Sequence, residues 1–134
     1  MNSKTKLVYE GKDLEAMDFA VKYHTWILDI FKPYLGKNIL EVGAGSGSFT
    51  ELLCKTNPVK VTALEPSSEM YPLLDETAKK NKKGIITARK KYFSEAKTEI
   101  KKSKVTSAVY INVFEHIEDD VSELKQLYET LPSG

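Results

Sequence analysis

The sequence predicts an α/β protein of three layers, in which helices cover both faces of a parallel sheet. Four short apolar runs rich in β-branched residues alternate with segments whose apolar residues recur at helical spacing. A glycine-rich turn joins the first apolar run to the helical segment that follows it. Alternation of strand and helix is typical of βαβ units, whose strands are parallel and whose helices lie on the two faces.

The predicted elements follow one another along the chain. A first helix is indicated by apolar residues at Ala20, Tyr23, Ile27 and Phe31, and it ends near Pro33 and Gly36. Strands are predicted over residues 38–42, 59–64, 84–88 and 105–113. Helices are predicted after each strand, over residues 49–53, 70–78, 93–100 and 117–131.

Size and composition limit the classes of protein that the chain can belong to. Its 134 residues suit one domain, and 41% hydrophobic residues are enough to form a core. No apolar run approaches the ~20 residues needed to cross a bilayer, and the polar N-terminus does not resemble a secretory signal. One cysteine and two histidines make a metal site improbable. We therefore expect a cytoplasmic domain with no metal and no membrane partner.

Charge is unevenly distributed along the chain. Residues 79–104 carry eleven basic and two acidic residues, whereas the remainder has a balance of −8. One interpretation is a surface for an acidic partner. The other is a solvated face whose lysines protect an edge strand from aggregation. We favour the second and do not expect nucleic acid as a partner, because aromatic residues do not alternate with these lysines.

The predicted fourth strand and the end of the chain indicate that part of a larger sheet is absent. Residues 105–113 are almost continuously apolar, as in a strand buried on both faces. One helix follows, and the sequence then ends in a turn. We expect this chain to be the front portion of a larger domain, with an exposed fourth strand. A second copy of the chain pairing along that edge is one way to cover it.

The most informative segment is the turn that contains Gly43, Gly45 and Gly47. Glycine permits backbone torsions and a close ligand approach that a Cβ atom would prevent. The next strand ends at Glu65, whose carboxylate can accept hydrogen bonds from both hydroxyls of a ribose. The third glycine falls at position 47, whereas the dinucleotide fingerprint G-x-G-x-x-G requires it at position 48, which is Ser48.

Three segments together resemble the class I S-adenosylmethionine-dependent methyltransferases. They are Glu-Val-Gly-Ala-Gly-Ser-Gly at residues 41–47, Glu65, and Tyr-Ile-Asn-Val-Phe-Glu-His-Ile-Glu-Asp-Asp at residues 110–120. The resemblance implies a Rossmann-like sheet of strand order 3-2-1-4-5-7-6, truncated here to 3-2-1-4. It also implies one methyltransferase domain over residues 1–134, in which residues 1–36 form a helical lid segment.

The resemblance further implies which residues hold S-adenosyl-L-methionine. Glu65 would bind the ribose, Glu41 would meet the methionine amino group, and Asn112 would offer its main-chain carbonyl to that group. The remaining cofactor-binding positions are the turn and the flanks of the adenine, at Gly43, Ala44, Gly45, Gly47, Pro66 and Met70. Relatives often have an acidic residue after the third strand to accept the adenine amino group, and residues 87–93 contain none.

Methyl transfer from a sulfonium needs a positioned nucleophile, and it needs a base only when the acceptor must lose a proton. His116 is a candidate base, together with Glu115, because both follow the fourth strand. The alternative is that both residues simply begin the last helix, with acidic residues at its positive end. The acceptor is expected to be a small molecule or a protein.

Two other functions stay open. The first alternative to methyl transfer is a fragment that binds cofactor without transferring a methyl group. The second is a nicotinamide-binding oxidoreductase domain. The glycine spacing argues against the second of these.

Overall fold

A computed structural model describes residues 3–132, with side chains described from residue 16 onward. The described helices are α1 (Ser3–Phe31), α2 (Ser48–Cys54), α3 (Tyr71–Lys80), α4 (Phe93–Ser103) and α5 (Asp120–Thr130). The described strands are β1 (Asn38–Val42), β2 (Lys60–Leu64), β3 (Ile86–Arg89) and β4 (Ser107–Tyr110). The chain divides into two compact units, one ending at Pro33 and the other beginning at Tyr34.

The first unit consists of α1, which confirms the helix predicted ahead of the first strand. A 3-10 turn at Lys32–Tyr34 follows the helix. It contains Pro33, which has no N–H to continue an α-helix. The lid role of residues 1–36 stays a prediction, and residues 1 and 2 of that segment lie outside the described part.

The second unit contains the sheet, and its topology confirms the predicted fold class. Over the described residues the strands are parallel and lie in the order β3-β2-β1-β4. In this register Glu41 of β1 lies beside Ala63 of β2 and Val109 of β4. The carboxyl ends of β1, β2 and β4 therefore reach the same edge of the sheet, where a ligand site is expected in folds of this class.

Helices cover both faces of the sheet. On one face Leu40 and Val42 of β1 pack in a buried cluster with residues of α4 and with the apolar side of α5. On the opposite face Ala63 of β2 packs with Leu74 of α3. Helix α2 lies on this second face as well, because Thr50 contacts Glu41, whose side chain points away from that of Leu40. The three-layer arrangement is thus present within residues 34–132.

The fourth strand is shorter than the sequence predicts. β4 covers four residues, whereas we expected a strand over residues 105–113. Asn112 has a left-handed backbone with φ of 55°, which is incompatible with continuation of a strand. Of the strand's side chains, Val109 is buried and the other three are half-buried. β4 is an outer strand of the sheet, as the predicted order requires, and pairing with a second copy stays a prediction.

The last helix also begins later than predicted. A 3-10 turn at Phe114–His116 precedes it, and α5 starts at Asp120 instead of residue 117. The Asp119 side chain accepts a hydrogen bond from the main-chain N–H of Ser122 at 3.0 Å and so caps the helix. No helix in the described part of the chain combines the length and the apolar character needed to cross a membrane.

Candidate functional site

The turn after β1 is fixed to the end of β2 by main-chain hydrogen bonds. We call residues 43–47 the glycine turn. The N–H groups of Gly43 and Ala44 both donate to the carbonyl oxygen of Leu64, each at 2.9 Å. All three glycines of the turn have positive φ values, between 57° and 93°. The turn therefore needs glycine at these positions for its backbone conformation alone.

Glu65 joins the glycine turn to the loop that follows β2. One carboxylate oxygen accepts a hydrogen bond from the N–H of Gly45 at 2.9 Å, and the other accepts from the N–H of Ser67 at 2.9 Å. The main-chain N–H of Glu65 donates to the carbonyl oxygen of Arg89 at 3.0 Å. The residue is 9% exposed. Each carboxylate oxygen has a second lone pair, so the group can still accept hydrogen bonds from a ligand.

Glu41 lies beneath the turn, where it is 2% exposed. Its carboxyl group accepts a hydrogen bond from the hydroxyl of Thr50 on α2. The pKa of Glu41 is raised from 4.5 to about 7, mainly by burial and in smaller part by the nearby charge of Glu65, against the lowering effect of the Thr50 hydrogen bond. The Glu41 carboxyl group therefore titrates near neutral pH. Its hydrogen bond with Thr50 joins it to α2, the helix that follows the turn.

The space around the three glycines differs. A Cβ atom on Gly43 would lie 2.5 Å from a methyl carbon of Val113, and one on Gly47 would lie 2.9 Å from a methyl carbon of Thr77. On Gly45 the nearest atom would be the terminal methyl carbon of Met70, at 3.7 Å. Gly43 and Gly47 thus permit close packing within the protein, whereas Gly45 borders space that a ligand can occupy.

A cavity of ≈ 490 Å³ opens where β1, β2 and β4 end. It collects five of the residues that the sequence predicts for the site, namely Gly43, Glu65, Pro66, Asn112 and His116. Its volume falls within the range of small-molecule sites, ~300–1,000 Å³. The structure therefore places Glu65, which is predicted to bind a ribose, around the same cavity as the end of β4 and the candidate base His116.

Six predicted site residues do not line this cavity: Glu41, Ala44, Gly45, Gly47, Met70 and Glu115. Glu41 and Ala44 are buried. Gly45 is held by Glu65, and Gly47 contacts α3. Met70 and Glu115 are exposed. Their roles in holding a cofactor or in catalysis stay predictions.

The segment after β4 contributes several residues to the lining of the cavity. We call residues 111–119 the post-β4 loop. The side chain of His116 is exposed at the cavity wall, and its neighbour Glu115 is exposed outside it. The interpretation that these two residues begin the last helix is wrong, because they belong to a separate 3-10 turn and Asp119 caps α5.

Several lining residues were missed by the sequence analysis. Residues 91–94, between β3 and the first turn of α4, form one wall, and Glu123 of α5 contributes to another. The hydroxyl of Tyr110 donates a hydrogen bond to Glu123 at 3.0 Å. No pattern in the sequence indicated this contact, because the strand was predicted to continue to residue 113 and the last helix to begin at residue 117.

The described residues contain no group of three or more His, Cys, Asp or Glu side chains arranged to hold a metal ion. The polar side chains that line the cavity include the carboxylates of Glu65 and Glu123, which accept hydrogen bonds. Such acceptors suit a ligand with hydroxyl groups or a positive charge.

Comparisons with known proteins point to one family. The family model described as "Methyltransferase domain" matches residues 16–134. No curated protein matches the chain at a significant level. One similar solved structure is the methyltransferase domain of bacterial CtHen1-C, at 16% identity and a TM-score of 0.64. Another is EvdMO1, at 14% identity and a TM-score of 0.66. The bifunctional kinase-methyltransferase WbdD is similar at 19% identity and a TM-score of 0.59.

These alignments cover most of this chain but a smaller part of the solved proteins. The alignment with CtHen1-C spans 84% of this chain and 58% of the solved chain. The alignment with EvdMO1 spans 83% of this chain and 26% of the solved chain, and the one with WbdD spans 70% of this chain and 22% of the solved chain. The chain therefore corresponds to less than two thirds of each solved chain.

Proposed function

The chain belongs to the family of methyltransferase domains, and we propose that it binds S-adenosylmethionine over the glycine turn for methyl transfer to an acceptor. The observation that carries this proposal is the position of Glu65. Its carboxylate is nearly buried, connects the glycine turn to the end of β2, and lines the cavity. A carboxylate in this place is suited to accept hydrogen bonds from the two hydroxyls of a ribose.

The residues at the site fit this cofactor. Open space lies beside Gly45, where a Cβ atom would have no neighbour closer than 3.7 Å. The cavity at the ends of β1, β2 and β4 has the volume of a small-molecule site and is lined by both apolar and charged side chains. Pro66 and Ile111 offer apolar surface for a base, and Glu65 offers the polar group for the sugar.

When bound, the cofactor supplies a methyl group on a positively charged sulfur. The contribution of the chain is to hold the ligand and to orient the acceptor. Glu65 fixes the sugar, and the main chain at Asn112, which has a left-handed conformation, presents its carbonyl to the amino group. His116 stands at the cavity wall, where it can take a proton from an acceptor that must lose one.

We propose a small molecule or a protein as the acceptor. The exposed post-β4 loop forms the side of the cavity where His116 lies, so the acceptor is expected to approach from there.

Calorimetric titration with S-adenosylmethionine and S-adenosylhomocysteine tests the proposal. We expect Glu65→Ala to weaken the binding of both by roughly ten- to a hundredfold, because a hydrogen bond to a charged group contributes ~1.5–3 kcal/mol. The exposed Glu69 provides a matched control, since Glu69→Ala removes a carboxylate four residues away and outside the cavity.

The control variant should bind both compounds like the wild type. Equal affinities for wild type and Glu65→Ala would refute the ribose contact. Tight binding of NAD in place of both sulfur compounds would instead favour the oxidoreductase alternative. Binding without methyl transfer to any acceptor tried would favour the cofactor-binding fragment.

A further inference from the structure

Glu123 is a cavity residue that the proposed function leaves without a role. It lies in the first turns of α5 and lines the same cavity as Glu65 and His116. Its side chain is half-buried. Within the described part of the chain, its carboxylate has one side-chain partner, the hydroxyl of Tyr110 at 3.0 Å. The second oxygen of Glu123 therefore has no protein donor among the described side chains.

The hydrogen bond from Tyr110 holds Glu123 in place. Tyr110 is the last residue of β4, and its ring lies with its centroid 4.5 Å from that of Phe114. Burial and the adjacent charge of Glu123 raise the pKa of the Tyr110 hydroxyl, so it keeps its proton and acts as a donor. The bond connects the end of β4 to α5 across the post-β4 loop, which fixes the carboxylate at the cavity wall.

The charges around the cavity favour a positive ligand. Glu65 and Glu123 contribute carboxylates from two different sides, β2 and α5. The lining also contains the basic Lys91, whose ammonium group lies 3.7 Å from the carboxylate of Glu99. Glu99 lies outside the lining and also pairs with Arg89 at 2.9 Å. The lining itself holds two carboxylates and one ammonium group, so its formal balance is negative.

We propose that Glu123, positioned by Tyr110, makes the cavity select a positively charged sulfonium over the neutral thioether that remains after methyl transfer. This inference rests on the proposed function. A fixed carboxylate in the wall of a partly enclosed cavity attracts a cation more strongly than a carboxylate in bulk water does. The two compounds are otherwise alike in base, sugar and amino acid, so the added charge and methyl group distinguish them.

The measurement is the ratio of the two dissociation constants, for S-adenosylhomocysteine over S-adenosylmethionine, in the chain and in Glu123→Gln. Glutamine keeps the shape and an oxygen that can accept from Tyr110, but it removes the charge. We expect the ratio to fall roughly three- to tenfold at low salt, with the larger part of the change in the binding of S-adenosylmethionine.

Two further variants separate charge from structure. Glu129→Gln removes an exposed carboxylate from the same helix but outside the cavity, and it should leave the ratio unchanged. Tyr110→Phe keeps the ring and removes the donor, so it should lower the ratio in the same direction by a smaller factor. When Tyr110→Phe is added to Glu123→Gln, it should have no further effect on the ratio, because the charge that Tyr110 positions is already gone.

The outcomes are distinguishable from those of the proposed function. If neither compound binds the wild type, the proposed function itself fails. If both bind and Glu123→Gln weakens them by the same factor, Glu123 acts on structure alone and the inference is overturned. An equal change of ratio in Glu129→Gln would overturn it as well, because the effect would then reflect net charge.

Discussion

The two sides of the cavity are built in different ways. On the side of the glycine turn, ligand-facing groups are held by the main chain: Glu65 accepts from two main-chain N–H groups, and the turn donates to Leu64. On the side of the post-β4 loop, His116 is exposed. The one side-chain bond described between β4 and α5 is that from Tyr110 to Glu123. The first side is fixed by main-chain hydrogen bonds, whereas the second depends on side chains.

This difference explains why the sequence predicts a cofactor more readily than an acceptor. Main-chain recognition requires glycine and a fixed strand order, which leave a pattern along the sequence. Recognition by exposed side chains leaves no comparable pattern, because many residue types fit a loop.

The largest expected effect on the fixed side of the cavity is a pH dependence of stability that arises from Glu41, beneath the glycine turn. Its pKa is about 7 in the folded chain against 4.5 for an ordinary glutamate. Between these values the folded chain holds a proton that the unfolded chain has released. Stability should therefore fall as pH rises from 4.5 to 7 and stay level above, by about 3 kcal/mol from this group.

Urea denaturation of wild type and Glu41→Gln between pH 4.5 and 8 measures this contribution. The difference between the two free energies of unfolding should change across that window, because glutamine does not titrate. Glu69→Gln, an exposed site, should follow the wild type. Parallel curves for wild type and Glu41→Gln would show that the buried carboxyl has no raised pKa.

The next effect separates packing from ligand contact within the glycine turn. Gly43→Ala places a Cβ atom 2.5 Å from Val113, in a backbone with φ of 73°, and should destabilise the fold by about 2–3 kcal/mol. Gly45→Ala meets no atom closer than 3.7 Å, so it should cost only the ~1–2 kcal/mol of its left-handed backbone. It should, however, weaken cofactor binding. Thermal denaturation and titration measure the two effects.

A companion variant tests the cause at Gly43. Val113→Ala removes the methyl groups that the new Cβ would meet, so the double variant should recover part of the stability lost in Gly43→Ala. If Gly43→Ala and Gly45→Ala lose equal stability and equal affinity, the assignment of one glycine to packing and the other to ligand contact is wrong.

The smallest effect is expected on the exposed side of the cavity. His116→Ala and Glu115→Ala should each change the free energy of unfolding by less than ~0.5 kcal/mol, as exposed substitutions usually do. Both should bind S-adenosylmethionine within about twofold of the wild type. Only His116→Ala should slow transfer to an acceptor that must lose a proton, as single-turnover rates across pH would measure. A large loss of stability in either variant would contradict the contrast between the two sides.

The sequence predicted most of the fold because strand and helix periods were unambiguous. β1 matches its predicted bounds, and the observed strand order is the one that the family resemblance implied. The end of β4 was predicted too late, because an apolar run does not reveal the left-handed Asn112 that ends the strand. The start of α5 was also predicted too early, since several acidic residues near it are equally suitable caps.

Prediction of the site was less complete for a physical reason. Glu65 was identifiable because it ends a strand next to a glycine turn. The contact of Tyr110 with Glu123 joins residues thirteen apart across a loop whose path the sequence does not define. The burial of Glu41 against Thr50 depends likewise on how α2 packs on the sheet.

The central claim is that the Glu65 carboxylate holds the hydroxyls of a ribose. The most direct measurement titrates wild type and Glu65→Ala with S-adenosylhomocysteine and with its analogue lacking the 2′-hydroxyl. The account predicts that loss of the hydroxyl weakens binding to wild type by roughly tenfold or more and has almost no effect on Glu65→Ala. Equal binding of the two compounds by the wild type would contradict it.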